Sequence, residues 1–540
     1  MDFGRLPSLG DFASAARLLR HLPRVLRDPI TSEEAHAKLQ YELAHRDENF
    51  LTLVREGIYG NAKSPYRWLL NRAGCEYADI EQLILKDGLE GALRCLFKSG
   101  VYLTVSESKG LNPIARGKDV FQIQNRDLHN PAIHADLVGS TGGSRSVGSV
   151  VPIQFSKMRD RALELYLDID TKRTVSWIGA TWSVPGSATM NRLIYYSLCG
   201  LPIGKWFLLV PTDRSGIHAR YRWSNRFLRL AAWRAGVRLP SPDSVSLSDP
   251  QPIVMWLTTT LRSEVTPFVH TSVTCATRIC ETAVDLGVSL KGVQFSIGAE
   301  PITAARLAMI ESSGAAANPH YSSVDSGHLA RGCTTPEAAD EVHVVRNRYA
   351  VIQPGIDANP TLPSDAMLVT SILPEARLIL LNVSLGDQAV MTSRQCGCPF
   401  QSLGWTTHLH TIRSFEKLTA CGMTFYHADL IRVLEETLPR KFGGSATDYQ
   451  LVDDDYIDSS PRVRLLVHPR VGDVDERAVT QTFLDAIGRG SGVQRVMMMV
   501  WRDAGLPIVE RSAPIATAGG KILHIHLARP RRSTADEAEE

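Results

Sequence analysis

The 540-residue sequence has no run of about eighteen consecutive apolar residues, the length a membrane-crossing helix needs, so no membrane span is expected. Neither sign of charge is in excess. Its 59 Lys and Arg against 57 Asp and Glu leave a net charge of +2, which implies no nucleic-acid or anionic membrane surface. Cysteine is sparse and odd in number, nine along the whole chain, which argues against a disulfide framework. The first residues lack the basic, apolar, small-residue order of a secretory leader. No internal repeat is evident. Gly-x-Ser-x-Gly, Gly-x4-Gly-Lys-Ser/Thr and His-Glu-x-x-His are all missing, so hydrolase-elbow, P-loop and zincin chemistry lose support. A cytoplasmic globular protein is the expectation, 44% hydrophobic and 21% charged, with too much chain for one core and hence two or more domains.

What is present centres on Asp136–Val151, where Gly139, Ser140, Thr141, Gly142, Gly143 and Ser144 precede Arg145. Glycines let backbone N–H groups converge on one point, hydroxyls add donors, and Arg145 adds charge, a combination suited to a polyphosphate. A flexible Gly/Ser surface linker fits the same composition, and both readings stand at this point.

Around that loop, residues 11–55 carry helical periodicity, with Thr31-Ser32-Glu33 as a helix start. Helices broken by Gly74 and Gly100 follow over 64–103. Between 150 and 300, apolar runs at Val150–Phe155, Lys205–Val210, Ile253–Leu257 and Gly292–Ile297 alternate with helical stretches. Such alternation predicts an α/β architecture with a largely parallel sheet. Leu378–Val383 is expected to be a strand ending near Gly386-Asp387. Past about 414 the pattern predicts a compact α+β unit: a helix at Ala428–Leu438, strands at Val463–His468 and Arg495–Trp501, and a helix at Asp475–Ile487.

Five further groups of residues follow the glycine loop in order. They are Gly298-Ala299-Glu300-Pro301; Tyr321-Ser322-Ser323-Val324-Asp325; Leu385-Gly386-Asp387; Arg413-Ser414-Phe415-Glu416; and Thr517-Ala518-Gly519-Gly520-Lys521-Ile522. This series resembles the acyl-adenylate-forming superfamily over about 60 to 526, and with Cys396-Gly397-Cys398-Pro399 it is most similar to the phenylacetate–CoA ligase branch. The resemblance implies a large N-terminal adenylate-forming domain, 1–413, with β-sheets flanked by helices. It implies also a small mobile α+β domain, 414–528, that carries a catalytic lysine; the Arg/Pro-rich and acidic tail 529–540 is expected to be disordered.

The same resemblance assigns roles. Ser140, Thr141, Gly142, Gly143, Ser144 and Arg145 would hold the ATP phosphates, although Arg145-Ser146 replaces the usual Gly-Lys pair. Tyr321 would flank adenine, Ser322 would lie beside phosphate, and Asp325 would carry Mg²⁺ where the family has glutamate. Asp387 would take the ribose hydroxyls, Glu300 would stand at a strand end facing the ligand, and Arg413 would open the interdomain hinge and contact ribose or phosphate. Lys521 is the expected adenylation lysine, with Arg145 as a second catalytic cation. Cys333, His343, Cys396 and Cys398 would supply a Cys3His set for structural zinc, the alternative being inert reduced thiols. His408 and His410 alternate along a strand, as do His524 and His526; His408 or His410 is a candidate for the acceptor tunnel.

The expected reaction is ATP-dependent activation of an aryl or aryl-acetic acid, with pyrophosphate release and transfer to coenzyme A. An amine or a carrier-protein thiol is an alternative acceptor. The other class of reading is a non-catalytic nucleotide-binding relative, suggested by Arg145, Asp325 and Phe415. A homodimer is compatible with this branch.

Overall fold

The computed structural model describes every residue except 1–8, 134–135, 141–149, 172–175, 210–218, 324–325, 356–361, 416–418, 421–422, 425–426, 458–459, 490–491, 518 and 529–540. Thr141 to Arg145, Asp325, Glu416 and the tail therefore lie outside the described residues. The chain divides into two compact units, one of Met1–Ile302 with Met309–Ile412, the other of Thr303–Ala308 with Arg413–Glu540.

The first unit is built on twelve strands: β1 (Trp177–Ser183), β2 (Ile203–Leu209), β3 (Pro242–Val245), β4 (Thr266–Ser272), β5 (Gln294–Gly298), β6 (Ala316–Ser323), β7 (Gly327–Gly332), β8 (Val342–Val344), β9 (Tyr349–Ile352), β10 (Ala366–Ser371), β11 (Val383–Ser393) and β12 (Thr407–Ser414). Their order in the sheet is β9-β10-β11-β12-β8-β7-β6-β5-β4-β1-β2-β3. From β6 to β3 every pairing is parallel, and β6–β7, β7–β8 and β8–β12 are antiparallel. The parallel half is buried on both faces: Trp206 and Leu208 join one apolar cluster while Phe207 and Leu209 join another. Alternation across a pleat makes this possible, and each fully buried large apolar side chain contributes roughly 1.5–3 kcal/mol. The α/β class expected from the sequence is present. Helices Leu9–Val25, Ser32–Ala44 and Arg46–Leu53 fill 11–55, and Thr31 Oγ1 accepts from Glu34 N at 3.2 Å as the cap predicted for the second.

Four expected elements differ. Ile253–Leu257 lies inside the helix Gln251–Arg262, with Ile253, Val254 and Leu257 buried and Met255 56% exposed, a helical stripe rather than strand alternation. Val150–Ile153 is a strand, but it pairs antiparallel with Leu137–Ser140 as a separate two-stranded unit. Leu378–Val383 becomes strand only at Val383, so Asp387 lies within β11 and not at its end. Arg495–Trp501 belongs to the helix Gly492–Asp503.

The second unit contains β13 (Tyr449–Ile457), β14 (Ser460–Val467), β15 (Ile508–Glu510) and β16 (Ile525–Ala528) in the order β15-β14-β13-β16. The helix Glu476–Ile487 packs Val479, Phe483, Leu484 and Ile487 into the same cluster as Leu451, Leu465 and Trp501. No helix of the described residues is long and apolar enough to cross a membrane.

Candidate active site and metal centre

Open α/β sheets place ligands beyond the carboxyl ends of their parallel strands. β5 ends at Gly298, and Ala299 beyond it is left-handed at φ 69°. That turn brings Glu300 to the start of the helix Val273–Asp285, where its carboxylate accepts from Thr274 N at 2.8 Å and from the Thr274 hydroxyl at 2.6 Å. Glu300 therefore braces a strand end against a helix start, where the carboxylate also complements the helix dipole.

Tyr321 on β6 donates its hydroxyl to Asp387 Oδ2 on β11 at 2.6 Å. In a flat sheet, four strand spacings would hold these residues roughly 19 Å apart, so the antiparallel half must curl to bring them together. Burial pushes the Tyr321 phenol well up, and the Asp387 carboxylate adds to it, so the hydroxyl stays a donor. Two residues chosen for ribose and adenine are thus one hydrogen-bonded unit. Ser322 is half-buried beside them, opposite His328, at a bulge in the β6–β7 ladder. Ser140 ends the strand Leu137–Ser140, next to the undescribed loop.

In the second unit, Arg413 follows directly on the division between Ile412 and Arg413. Lys521 sits in a closed turn: Thr517 N donates to Lys521 O at 2.9 Å, Lys521 N donates to Thr517 Oγ1 at 3.2 Å, and Gly520 takes φ 71°. A left-handed residue there favours glycine. The lysine is therefore presented by a tight turn instead of a loose tail. Beside it, Arg306 Nη2 donates to Ile522 O at 3.2 Å, and Arg306 Nε donates to Glu435 Oε1 at 2.8 Å. His524 Nε2 lies 2.6 Å from that same oxygen, and the Thr303 hydroxyl bonds the other. Burial alone would raise the Glu435 carboxyl, but Arg306 and His524 override it and hold it down at about 2. His524 is absorbed by this network rather than paired with His526.

Cys333, His343, Cys396 and Cys398 do come together, their ligand atoms all within 4.8 Å of one another. Cys333 follows β7, His343 is on β8, and both other thiols lie between β11 and the short helix Pro399–Ser402. His343 Nε2 lies 3.1 Å from Cys398 Sγ and 3.7 Å from Cys396 Sγ. A tetrahedral zinc with bonds near 2.0 and 2.3 Å separates such atoms by roughly 3.5 Å, so the donor set fits. His343 Nδ1 contacts the Trp405 carbonyl at 2.6 Å and must donate to it, which leaves the Nε2 lone pair facing the sulfurs. Arg394 Nη2 stands 3.8 Å from Cys333 Sγ. Burial nevertheless pushes the Cys333 thiol up to about 11, while Cys398, with its hydrogen bonds from Cys396 and backbone amides outweighing burial, is lowered. Glu341 and His408 also approach Cys333, but Glu341 is engaged by Arg394 at 2.7 Å and by His408 at 2.6 Å. His408 is fully buried with its ring 4.0 Å from that of His343, so it buttresses this cluster.

One group escaped the sequence. Arg192 on the helix Ser187–Leu198, His270 on β4, His320 on β6 and His328 and Arg331 on β7 form a cationic cluster in which Arg192, His320 and Arg331 are buried and His270 and His328 half-buried. His270 and His320 rings stack at 5.1 Å, His320 and His328 meet edge-on at 5.7 Å, and Arg192 Nη2 lies 3.0 Å from His328 Nε2. Burial, with both guanidinium groups adding to it, drives all three histidines well down, so they are neutral. No local motif could have announced them, because the residues come from four separate elements.

Solved structures that the chain is similar to include a ligase and two synthetases, all at low identity. A 2-hydroxyisobutyryl-CoA ligase, solved with 2-HIB-AMP and CoA, is 15% identical, with 97% of this chain and 96% of that one covered and a TM-score of 0.41. The amide bond synthetase McbA from Marinactinospora thermotolerans is 13% identical, with 95% and 98% covered and a TM-score of 0.38. Acetoacetyl-CoA synthetase from Streptomyces lividans is 14% identical, with 76% and 56% covered and a TM-score of 0.42. No protein-family model and no curated protein matches the chain.

Proposed function

We propose that this chain is an adenylate-forming acid ligase. A carboxylate oxygen of the substrate attacks the α-phosphorus of ATP, the bond to the β-phosphate oxygen breaks, and pyrophosphate leaves. A thiol such as that of coenzyme A, or an amine, then attacks the acyl carbonyl and displaces AMP. The observation that carries this reading is the Tyr321–Asp387 hydrogen bond of 2.6 Å, which joins two residues that the motif order assigns to one nucleotide. Asp387 keeps a second carboxylate oxygen for ribose, and Tyr321 lends a ring face to adenine. Lys521 supplies a point charge from a tight turn for the developing oxyanion. The first step needs positioning and charge stabilisation more than covalent help. Mg²⁺, carried by Asp325, would shield the phosphates. The Cys333, His343, Cys396 and Cys398 set is closed by four protein ligands and suits a structural zinc. The division at Ile412 and Arg413 supports a separate C-terminal domain that carries Lys521.

The test is ATP–pyrophosphate exchange across a panel of carboxylic acids. Exchange that depends on one acid class and falls at least about 100-fold in Lys521→Ala is expected. ATP binding without exchange for any acid would replace this reading with a nucleotide-binding relative that has lost the chemistry.

A further inference from the structure

Arg331 is fully buried, and its Nε, Nη1 and Nη2 have no hydrogen-bond partner among the described residues. Arg192, 6% exposed, leaves Nη1 without a partner. Because a guanidinium only donates, its 3.0 Å contact makes His328 Nε2 the acceptor and places the histidine proton on Nδ1, which is itself unpartnered. Every one of these orphan atoms on Arg192, His328 and Arg331 is therefore an N–H donor. The carboxylate facing them is Asp168, whose Oδ2 is 3.8 Å from Arg331 Nη1, beyond hydrogen-bond distance, and whose Oδ1 takes the amide of Asn318 at 3.4 Å. Among the described residues, two guanidinium charges against one carboxylate leave one buried positive charge uncompensated, and native interiors leave few such groups unmatched.

The cluster also adjoins the candidate nucleotide residues. His320 directly precedes Tyr321, and a Cβ on Gly298 would lie 2.6 Å from His320 Nε2, so glycine at the end of β5 is what lets that ring cross the strand. His270 and His320 lie toward the carboxyl ends of parallel strands, where ligands of such sheets bind.

We propose that the activated acid carries a second anionic oxygen group, a carboxylate, received by Arg192, His328 and Arg331. The substrate class is thus a dicarboxylic acid rather than a plain aryl or aryl-acetic acid. This inference rests on the acid-ligase reading above. A planar carboxylate matches the guanidinium fork, takes the orphan donors and neutralises the surplus charge.

The experiment compares pyrophosphate exchange for malonate, succinate, glutarate and the phthalates, each against its own monomethyl ester, in the wild-type chain and in Arg192→Met. At least one diacid should exceed its ester by tenfold or more in kcat/KM, and that ratio should shrink tenfold or more in Arg192→Met. Esters or monoacids outpacing every diacid in the wild type would overturn the proposal while leaving adenylation intact, whether or not the variant folds. If no acid supports exchange, calorimetric titration of the same diacids into the wild-type chain decides. Diacid binding that Arg192→Lys weakens tenfold would uphold the anion site without the ligase reading, and the absence of diacid binding would sink both.

Discussion

Replacing Glu435 by glutamine should loosen the second unit locally and severely. Glu435 is 4% exposed, and its two oxygens take Arg306, His524 and Thr303. A carboxyl held at about 2 instead of 4.5 corresponds to roughly 3 kcal/mol of folding free energy. That contribution is complete above the ordinary value of 4.5 and is lost as pH falls toward 2, because protonation then favours the unfolded chain. Glu435→Gln leaves Arg306 buried without its carboxylate, for which about 3–5 kcal/mol is the usual cost. Hydrogen-exchange mass spectrometry on peptides spanning 430–440 and 520–526 is the direct assay. Exchange in these peptides should accelerate by roughly two orders of magnitude or more, while β4 and β5 are unaffected. The double variant Arg306→Met with Glu435→Met should recover most of the loss, since an apolar pair strands no charge. Acceleration below about threefold in the single variant would refute the assignment of this network as a stabilising one.

Three further outcomes are expected. Purified protein should carry about one zinc per chain by plasma mass spectrometry, with Cys398→Ser losing it and a strong chelator lowering the melting temperature; a metal-free chain indifferent to chelators would oppose the Cys3His assignment. Tyr321→Phe removes a hydrogen bond to a carboxylate, about 1.5–3 kcal/mol, and should raise KM for ATP by roughly tenfold with a smaller effect on kcat; an unchanged KM would separate Asp387 from the ribose. Thr274→Val removes the hydroxyl that donates to Glu300 at 2.6 Å and should cost about 1–2 kcal/mol in denaturant unfolding, whereas a neutral result would leave Glu300 free for another partner.

The sequence was legible where chemistry-bearing residues follow each other in a fixed order. Tyr321 and Asp387, 66 positions apart, meet, and so do Cys333, His343, Cys396 and Cys398. It misled where a short apolar run serves helix and strand equally. Ile253–Leu257 is helical, its buried positions recurring at three and four residues, and Arg495–Trp501 lies inside the helix Gly492–Asp503. Pro250 and Pro252 around the start of the first helix were a usable signal for it. Pairings of buried arginines with distant partners were not legible. Arg306 reaches Glu435 across 129 positions, and Arg192 reaches His328 across 136. An arginine in an amphipathic helix looks like a solvated charge until its neighbours are known.

The second unit is not continuous in sequence. Thr303–Ala308 belongs to it, although more than a hundred residues separate this segment from Arg413. Recombination that swapped in a relative's C-terminal portion at a single crossover near position 413 would import a carboxylate like Glu435 and leave behind the arginine that satisfies it. The segment around Arg306 and the C-terminal portion are therefore expected to be inherited together, with their residue types covarying even where the intervening chain drifts. Chimeras of this protein should be joined at two places, so that Thr303, Arg306, Glu435 and His524 come from one parent.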